Sequence, residues 1–423
     1  MSKILLATDS YHFSPTANGI CVEEIADELI KMGNEVHVLC FRHGDESVKD
    51  EINGINIHRI RMDGVNTLRF LYEKELTGWK QNIVKKMMVI LNRVEAVAFI
   101  HWFPMRSPIF CVRYKNMVER LQKEYGYDMI IASYSPFEAA YSLAKIKAEP
   151  SVKKCLYTLD SFTNLRKRFF LSREYQERKG WVWEQKIYDK CDLILNLKCH
   201  EKHYSNSRYD KYRKKIQIVD IPHMISYQQK NEENHSTGKL GILHITYAGA
   251  IRDDIMPWVL RYFEGFMENK ELVFDLYTRS SVNEYKNLIS KKAYESVVMH
   301  GFLEREAVLQ RELDSDLLLS MGNRDSDFIS SKIFELIATG KKIVHIYSYE
   351  KDSALPYYNW YPNCCILNIN DPVEINTSKL RKFFSEPIKE IRFEEIEKIY
   401  YMNTPGYTAR IIVNELQHRR KNE

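Results

Sequence analysis

Short apolar runs recur along the chain, separated by stretches in which apolar positions return every three or four residues. The first run covers 3–7, Lys-Ile-Leu-Leu-Ala. Val22, Ile25, Ala26, Leu29 and Ile30 then share one face of a helix predicted over 22–32, which Gly33-Asn34 stops before a second run at 35–40. Strand, helix and strand in that order make a βαβ unit. The pattern returns as a helix over 112–123, a run at 128–132, a helix over 138–146 and a run at 154–158. A helix over 181–190 then feeds a run at 192–197. Such alternation predicts a parallel, doubly wound sheet.

Polar residues fill 227–239, and alternation restarts beyond them. Runs at 243–248, 272–277, 297–299, 317–320 and 342–347 are interleaved with helices over 257–267 and 332–338. The predicted class is α/β, with two tandem Rossmann-like doubly wound domains. The expected boundaries are 1–225 for the first domain, 226–240 for a linker, 241–400 for the second domain and 401–423 for a helical tail with a basic end. Folds of this kind bind ligands in the crevice beyond the carboxyl ends of their strands, here expected between the two domains.

Composition narrows the functional classes. The chain has 423 residues, 44% apolar and 28% charged, which is a globular balance and not a disordered one. Lys and Arg total 62 against 57 Asp and Glu, so the net charge of +5 is too small to suggest a dedicated nucleic-acid binder. The N-terminus lacks the long apolar stretch of a signal peptide, and the apolar-leaning stretch 87–103 is interrupted by Asn92, Arg93, Glu95 and His101. Eight cysteines without a CxxC pair predict buried free thiols in a reducing cytosol and no structural zinc.

The densest chemical signal runs from Asp327 through Ser330, Ser331, Lys332 and Glu335 to Gly340 and Val344, a loop, a helix and a strand in succession. Ser330 and Ser331 stand where the helix begins. Free N–H groups and the helix dipole favour an anion there, with Lys332 adding charge, while ordinary capping by serine is the alternative. Glu335 does not fit a capping box with either serine and is expected to be free for a ligand. Two Asp-x-Asp pairs, Asp314/Asp316 and Asp325/Asp327, raise a metal-dependent reading, which the lack of a third hard ligand disfavours.

Together these features resemble the GT-B glycosyltransferases of the family 4 type. The resemblance rests on the acid-x7-acid element Asp327/Glu335, the Gly340-Lys-Lys-Ile-Val344 strand, and the first loop with Asn18-Gly19 before Gly33-Asn-Glu-Val. It implies transfer of a sugar from a nucleotide diphosphate donor, UDP- or GDP-linked, with retention at the anomeric carbon and no obligatory metal or other cofactor. Glu335 would bind the ribose, Asp327 would lie near the donor sugar, and Arg252, following Gly249, would face the phosphates. The usual companion lysine is replaced by Asp253-Asp254, leaving Lys332 or Arg279 to compensate, although Arg279 also reads as a solvated arginine. Gly301 and Phe302 would lie near the nucleobase, or pack in the core. Gly19 would let the backbone approach the phosphates, or merely form a turn. Tyr134 stands where the family often has an acceptor-side histidine, and His12 and Asn18 are further acceptor-side candidates. His101 reads as a packed aromatic neighbour.

Basic and apolar residues alternate in 80–93 and 166–173, which suits either a solvated face or anionic lipid. The resulting expectation is a cytoplasmic transferase of cell-surface polysaccharide or glycolipid assembly, acting on a glycan or lipid-linked acceptor, with peripheral contact at the inner membrane face as an option. A nucleotide-sugar epimerase of the same plan and a catalytically degenerate partner protein are the alternatives.

Overall fold

The computed structural model describes residues 1–420 except 13–15, 45, 63, 73–77, 106, 160–162, 164–170, 228–240, 280–282, 325–328 and 388–390. Asp327, Asp325 and most of the basic segment 166–173 therefore lie outside the described residues, as does most of the expected linker. The chain divides into two units, Met1–Pro222 with Pro405–Glu423, and His223–Thr404.

The first unit holds an eight-stranded sheet. Its strands are β1 (Lys3–Ala7), β2 (Glu35–Arg42), β3 (Lys49–Ile52), β4 (Ile55–Arg61), β5 (Met129–Ser133), β6 (Lys153–Thr158), β7 (Leu193–Leu197) and β8 (Ile216–Val219), in the order β3-β4-β2-β1-β5-β6-β7-β8. All neighbours run parallel except β3 and β4. That hairpin turns at Asn53 and Gly54, both with positive φ (52° and 78°), the backbone that an Asn-Gly pair favours. The apolar-run pattern misses β3 because its residues, Lys-Asp-Glu-Ile, are mostly exposed and polar at the sheet edge.

The helix after β1 spans Ala17–Lys31 and starts earlier than its apolar stripe suggested. Thr16 caps it, its hydroxyl accepting from the Gly19 amide at 3.1 Å. The expected turn at Asn18-Gly19 is therefore the first helical turn. The C-terminal helix Pro405–Arg420 is no separate tail: it packs on helix Ala17–Lys31, burying Thr408, Ala409, Ile412 and Leu416 within the first unit. Lys153 reaches from β6 to its Glu415 at 3.1 Å. All eight cysteines are free thiols.

The second unit holds six parallel strands. They are β9 (Leu243–Ala248), β10 (Leu272–Tyr277), β11 (Val297–Met299), β12 (Leu317–Met321), β13 (Lys342–Tyr347) and β14 (Cys364–Asn368), in the order β11-β10-β9-β12-β13-β14. The helix Met256–Glu268 buries Met256, Val259, Leu260, Phe263, Phe266 and Met267 against Ile245, Phe274 and Leu276. Each such side chain contributes about 1.5–3 kcal/mol when buried. Among the described residues no helix is long and apolar enough to cross a membrane.

Two glycines test how tightly each unit is drawn. Gly33 (φ +80°) ends helix Ala17–Lys31 with open space around it, whereas Gly340 (φ +77°) ends helix Lys332–Ala338 with the Ile391 carbonyl oxygen lying where a Cβ would stand. Gly33→Ala is expected to cost about 1–2 kcal/mol for the left-handed backbone alone. Gly340→Ala should cost more, because backbone must also move, and urea denaturation of the two variants checks the order.

Candidate functional site

Parallel pairing in the second unit sends the carboxyl ends of β9, β10, β11, β12 and β13 to one edge of its sheet. Five segments leave that edge: Gly249–Asp254, Thr278-Arg279, His300–Phe302, Gly322–Arg324 and Ser348. Three of them meet at the Asp254 carboxylate. Arg252 donates to it through Nε at 3.1 Å and Nη2 at 3.1 Å, Arg324 through Nε at 3.0 Å, and Ser348 through its hydroxyl at 2.9 Å. Arg252 also donates through Nη1 to the Gly322 carbonyl. Burial by itself would raise the Asp254 carboxyl, but hydrogen bonds from Arg252, Ser348 and Arg324 outweigh it and bring the group down to about 2.

Two guanidinium groups therefore meet on one carboxylate, leaving one net positive charge. Arg252 is held on three sides, while Arg324 is exposed. Sequence reasoning anticipated Arg252 but regarded Asp254 only as the residue displacing a lysine; the structure makes it the residue that orients Arg252. The second cation here is Arg324, not Lys332. Its signal was the position of Asn323-Arg324 directly after a strand.

The loop carrying Gly322 is fixed from behind. Asp352 accepts from the Asn323 amide at 3.1 Å and lies 3.2 Å from His345 Nε2, whose Nδ1 is 3.1 Å from the Ser320 hydroxyl. A Cβ at Gly322 would collide with the Asp352 carboxylate and with Tyr347. This serine, histidine and aspartate series is buried, so it anchors a loop and offers nothing to a substrate.

Beyond the ends of β10 and β11 the Arg279 guanidinium lies 3.9 Å from the centre of the Phe302 ring. Both side chains are exposed, so the structure brings together three predicted residues, Arg279, Gly301 and Phe302, on one lip of the edge. Gly249 adopts φ +155°, and a Cβ there would stand 3.2 Å from the Tyr247 hydroxyl.

The helix Lys332–Ala338 corrects three expectations. Glu335 is not free: its buried carboxylate pairs with Lys332 one turn earlier and with Arg305 at 3.1 Å, and His223 Nε2 lies 3.9 Å away. Lys332 is not a mobile charge, because it also pairs with the buried Glu312 at 2.8 Å. Ser331 makes no capping bond through its side chain, and the backbone carbonyls of Ser330 and Ser331 close the first turn by accepting from Ile333 and Phe334. With seven residues the helix is also too short for a strong dipole site. Arg305 and Glu312 were not anticipated. Their seven-residue spacing puts both on one face of helix Arg305–Asp314, which was the available signal.

In the first unit, the predicted residues around β1 are largely satisfied internally. A Cβ on Gly19 would stand 2.5 Å from the Ser10 carbonyl and hydroxyl oxygens, so its missing side chain admits Ser10 and not a phosphate. Asp9 accepts from the Ser10 amide at 2.8 Å and the Thr16 hydroxyl at 2.9 Å. His12, with φ +58°, is 3.1 Å from Glu23 and remains about half exposed, and Asn18 is half-buried nearby in the first helical turn. Tyr134 is half-buried on the core at the end of β5, its amide donating to the Tyr157 carbonyl at 2.9 Å. His101, expected in an aromatic cluster, is exposed. Among the described residues no group of three or more His, Cys, Asp or Glu could hold a metal ion. Asp316 accepts from the His244 amide and Asp314 from Gln310.

Comparison with solved structures decides the fold. A glycosyltransferase from Rickettsia africae ESF-5 aligns at TM-score 0.58 and 11% identity, covering 100% of this chain and 99% of its own. An E. coli structure described as trehalose-6-phosphate bound with UDP-2-fluoro glucose aligns at TM-score 0.58 and 10% identity over 98% and 99% of the two chains. An α,α-trehalose-phosphate synthase (UDP-forming) from Burkholderia vietnamiensis aligns at 0.55 and 12% over 99% and 97%. The fold is GT-B. No family model and no curated protein sequence matches the chain, so these comparisons show the fold.

In this GT-B chain the buried Glu312 and Glu335, with the half-buried Lys332 between them, set a pH dependence. Burial pushes the Glu312 carboxyl up to about 7, with Lys332 opposing and Glu335 reinforcing the rise. Between the ordinary value of 4.5 and about 7 the folded chain therefore holds a proton that the unfolded chain releases. Stability from this group is complete below that window and is lost as pH rises through it. Glu312→Gln should remove that negative slope, read as the change in denaturant midpoint between about pH 5 and pH 7.5 for the two proteins.

Proposed function

We propose that the chain is a retaining glycosyltransferase that moves a sugar from a nucleotide diphosphate sugar to a glycan or lipid-linked acceptor. The reading extends to cell-surface polysaccharide, such as capsule, or glycolipid assembly on the cytoplasmic side, with peripheral membrane contact. The observation that carries it is the Arg252, Asp254 and Arg324 centre at the strand carboxyl ends of a GT-B chain. The proposed donor is a UDP- or GDP-sugar.

The chemistry follows from charge. Breaking the bond between the anomeric carbon and the phosphate oxygen leaves the diphosphate with an added negative charge. Arg252, already fixed by Asp254 and the Gly322 carbonyl, would meet that charge without reorganising, and Arg324 would add a second donor fork. The acceptor hydroxyl bonds to the anomeric carbon on the face the phosphate leaves, and its proton passes to a phosphate oxygen. No protein base is required, which suits the assignment of Tyr134 to the acceptor side, because a phenol is a weak base. Phe302 beneath Arg279 suits a nucleobase face. A ribose would reach Glu335 once the Arg305 side chain, 43% exposed, swings from it. Asp327 is assigned to the donor sugar.

Calorimetric titration with UDP, GDP and their sugars tests the reading. Arg252→Ala should lose about 1.5–3 kcal/mol, roughly ten- to a hundredfold in nucleotide affinity. Arg324→Ala should lose less, because its exposed side chain is held only through Nε. Absence of nucleotide binding by the parent protein would overturn the proposal and favour a degenerate partner, and a changed sugar still attached to nucleotide would favour an epimerase.

The acids separate by readout. Glu335→Gln should weaken donor binding, and it should also lower stability because Lys332 and Arg305 lose a buried partner. Asp327→Asn should keep donor affinity and lower turnover. Turnover should persist in EDTA, since arginines supply the charge neutralisation proposed here. Loss restored by manganese or magnesium would reject that part, and the anomeric coupling of the product by NMR tests retention.

A further inference from the structure

The helix Gly78–Ala98 of the first unit is turned the wrong way round for a soluble core element. At about 100° per residue, Trp79, Ile83, Met87, Ile90, Val94 and Val97 fall within roughly 80° of arc. All six are exposed, from 47% at Ile83 and Met87 to 69% at Trp79. The side turned toward the protein carries Gln81, Val84, Met88, Asn92 and Glu95, each half-buried. Gln81 donates to the Tyr72 carbonyl at 3.0 Å. The inward side thus mixes three polar residues with Val84 and Met88, while a continuous apolar stripe faces out, unlike a surface helix that turns its apolar stripe to a globular core.

Charge on the stripe's margins selects the occupant. Lys86 and Arg93 project along one edge and Lys80 along the other, all exposed. The helix's single acid, Glu95, lies on the inward side. An apolar stripe whose charged margin residues are all cationic, with a tryptophan at one end, suits the headgroup boundary of an anionic bilayer. A second copy of the chain would bring the same cations against these. The helix is not apolar enough to span a membrane, so it would lie in the surface plane.

We infer that helix Gly78–Ala98 docks the protein on anionic lipid, with Trp79, Ile83, Met87, Ile90, Val94 and Val97 entering the acyl boundary and Lys80, Lys86 and Arg93 meeting the headgroups. The inference gives the proposed membrane contact a definite surface and does not depend on the donor chemistry, because lipid binding is measured without nucleotide.

Co-sedimentation of the full chain with phosphatidylcholine vesicles, with and without about 30% phosphatidylglycerol, tests it. Binding is expected only to the anionic vesicles, falling steeply at about 1 M salt, where screening sets in within roughly 3 Å. Ile83→Asp with Ile90→Asp should reduce partitioning at least about tenfold. Lys86→Gln with Arg93→Gln should also reduce it about tenfold, and these exposed changes keep the fold readable if the aspartates do not. Brominated lipid should quench a tryptophan signal that Trp79→Phe removes. Equal binding to neutral vesicles, unchanged binding of the variants, or unaltered quenching in Trp79→Phe would overturn the inference. So would a dimer of the parent protein that the aspartate pair dissolves without any vesicle binding, which would assign the stripe to a second copy.

Discussion

Parallel pairing is the constraint on which the second unit's chemistry depends. A parallel ladder sends every strand's carboxyl end to the same edge, and each return passes through a helix on a sheet face. Residues separated by up to about a hundred positions, Arg252, Arg279, Phe302, Arg324 and Ser348, consequently emerge along one line. An antiparallel sheet with the same strands would split them between two edges. The site is therefore a property of topology first and of side chains second.

Electrostatics then decides which charges at that edge remain available. Asp254 gathers Arg252, Arg324 and Ser348 from the ends of β9, β12 and β13, and its ionised state is favoured by what surrounds it. Glu312 illustrates the opposite situation, where burial dominates and Lys332 offsets only part of the desolvation, whereas for Glu335 the charges of Lys332 and Arg305 together outweigh burial. A buried pair of this kind is weak evidence of net stabilisation, because desolvation cancels much of the attraction. Its consequence is definition: it fixes the helix start next to Ser330 and Ser331 without their hydroxyls capping it. Behind the centre, Asp352 and His345 hold the Gly322 loop, so the carbonyl that receives Arg252 is itself placed by buried hydrogen bonds.

The first unit depends on close backbone approach. Gly19 lets helix Ala17–Lys31 sit directly against Ser10, and the C-terminal helix closes over the same helix after the chain has built the whole second unit. This crossing makes the chain ends structural: Leu416 and Ile412 are core residues although they lie within a dozen positions of the terminus.

The sequence alone determined the alternation of strands and helices, the α/β class, the two units and the glycosyltransferase resemblance. Buried parallel strands must be short and apolar, so their pattern is local and legible. The resemblance also pointed to Arg252, Arg279, Gly301 and Phe302, and the parallel sheet brings the segments that carry them to one edge. Only the tertiary structure decided which of them were already engaged. Glu335 and Lys332 looked available because their partners, Arg305 and Glu312, lie on another helix some 20 to 30 residues earlier, and ion pairing across elements leaves no local period. Edge strands such as β3 escaped for a similar reason: half their surface meets water, so they need no apolar run. The outward stripe of helix Gly78–Ala98 was legible as amphipathic, but a period of 3.6 residues says that two faces differ and not which faces the protein; packing alone chose that.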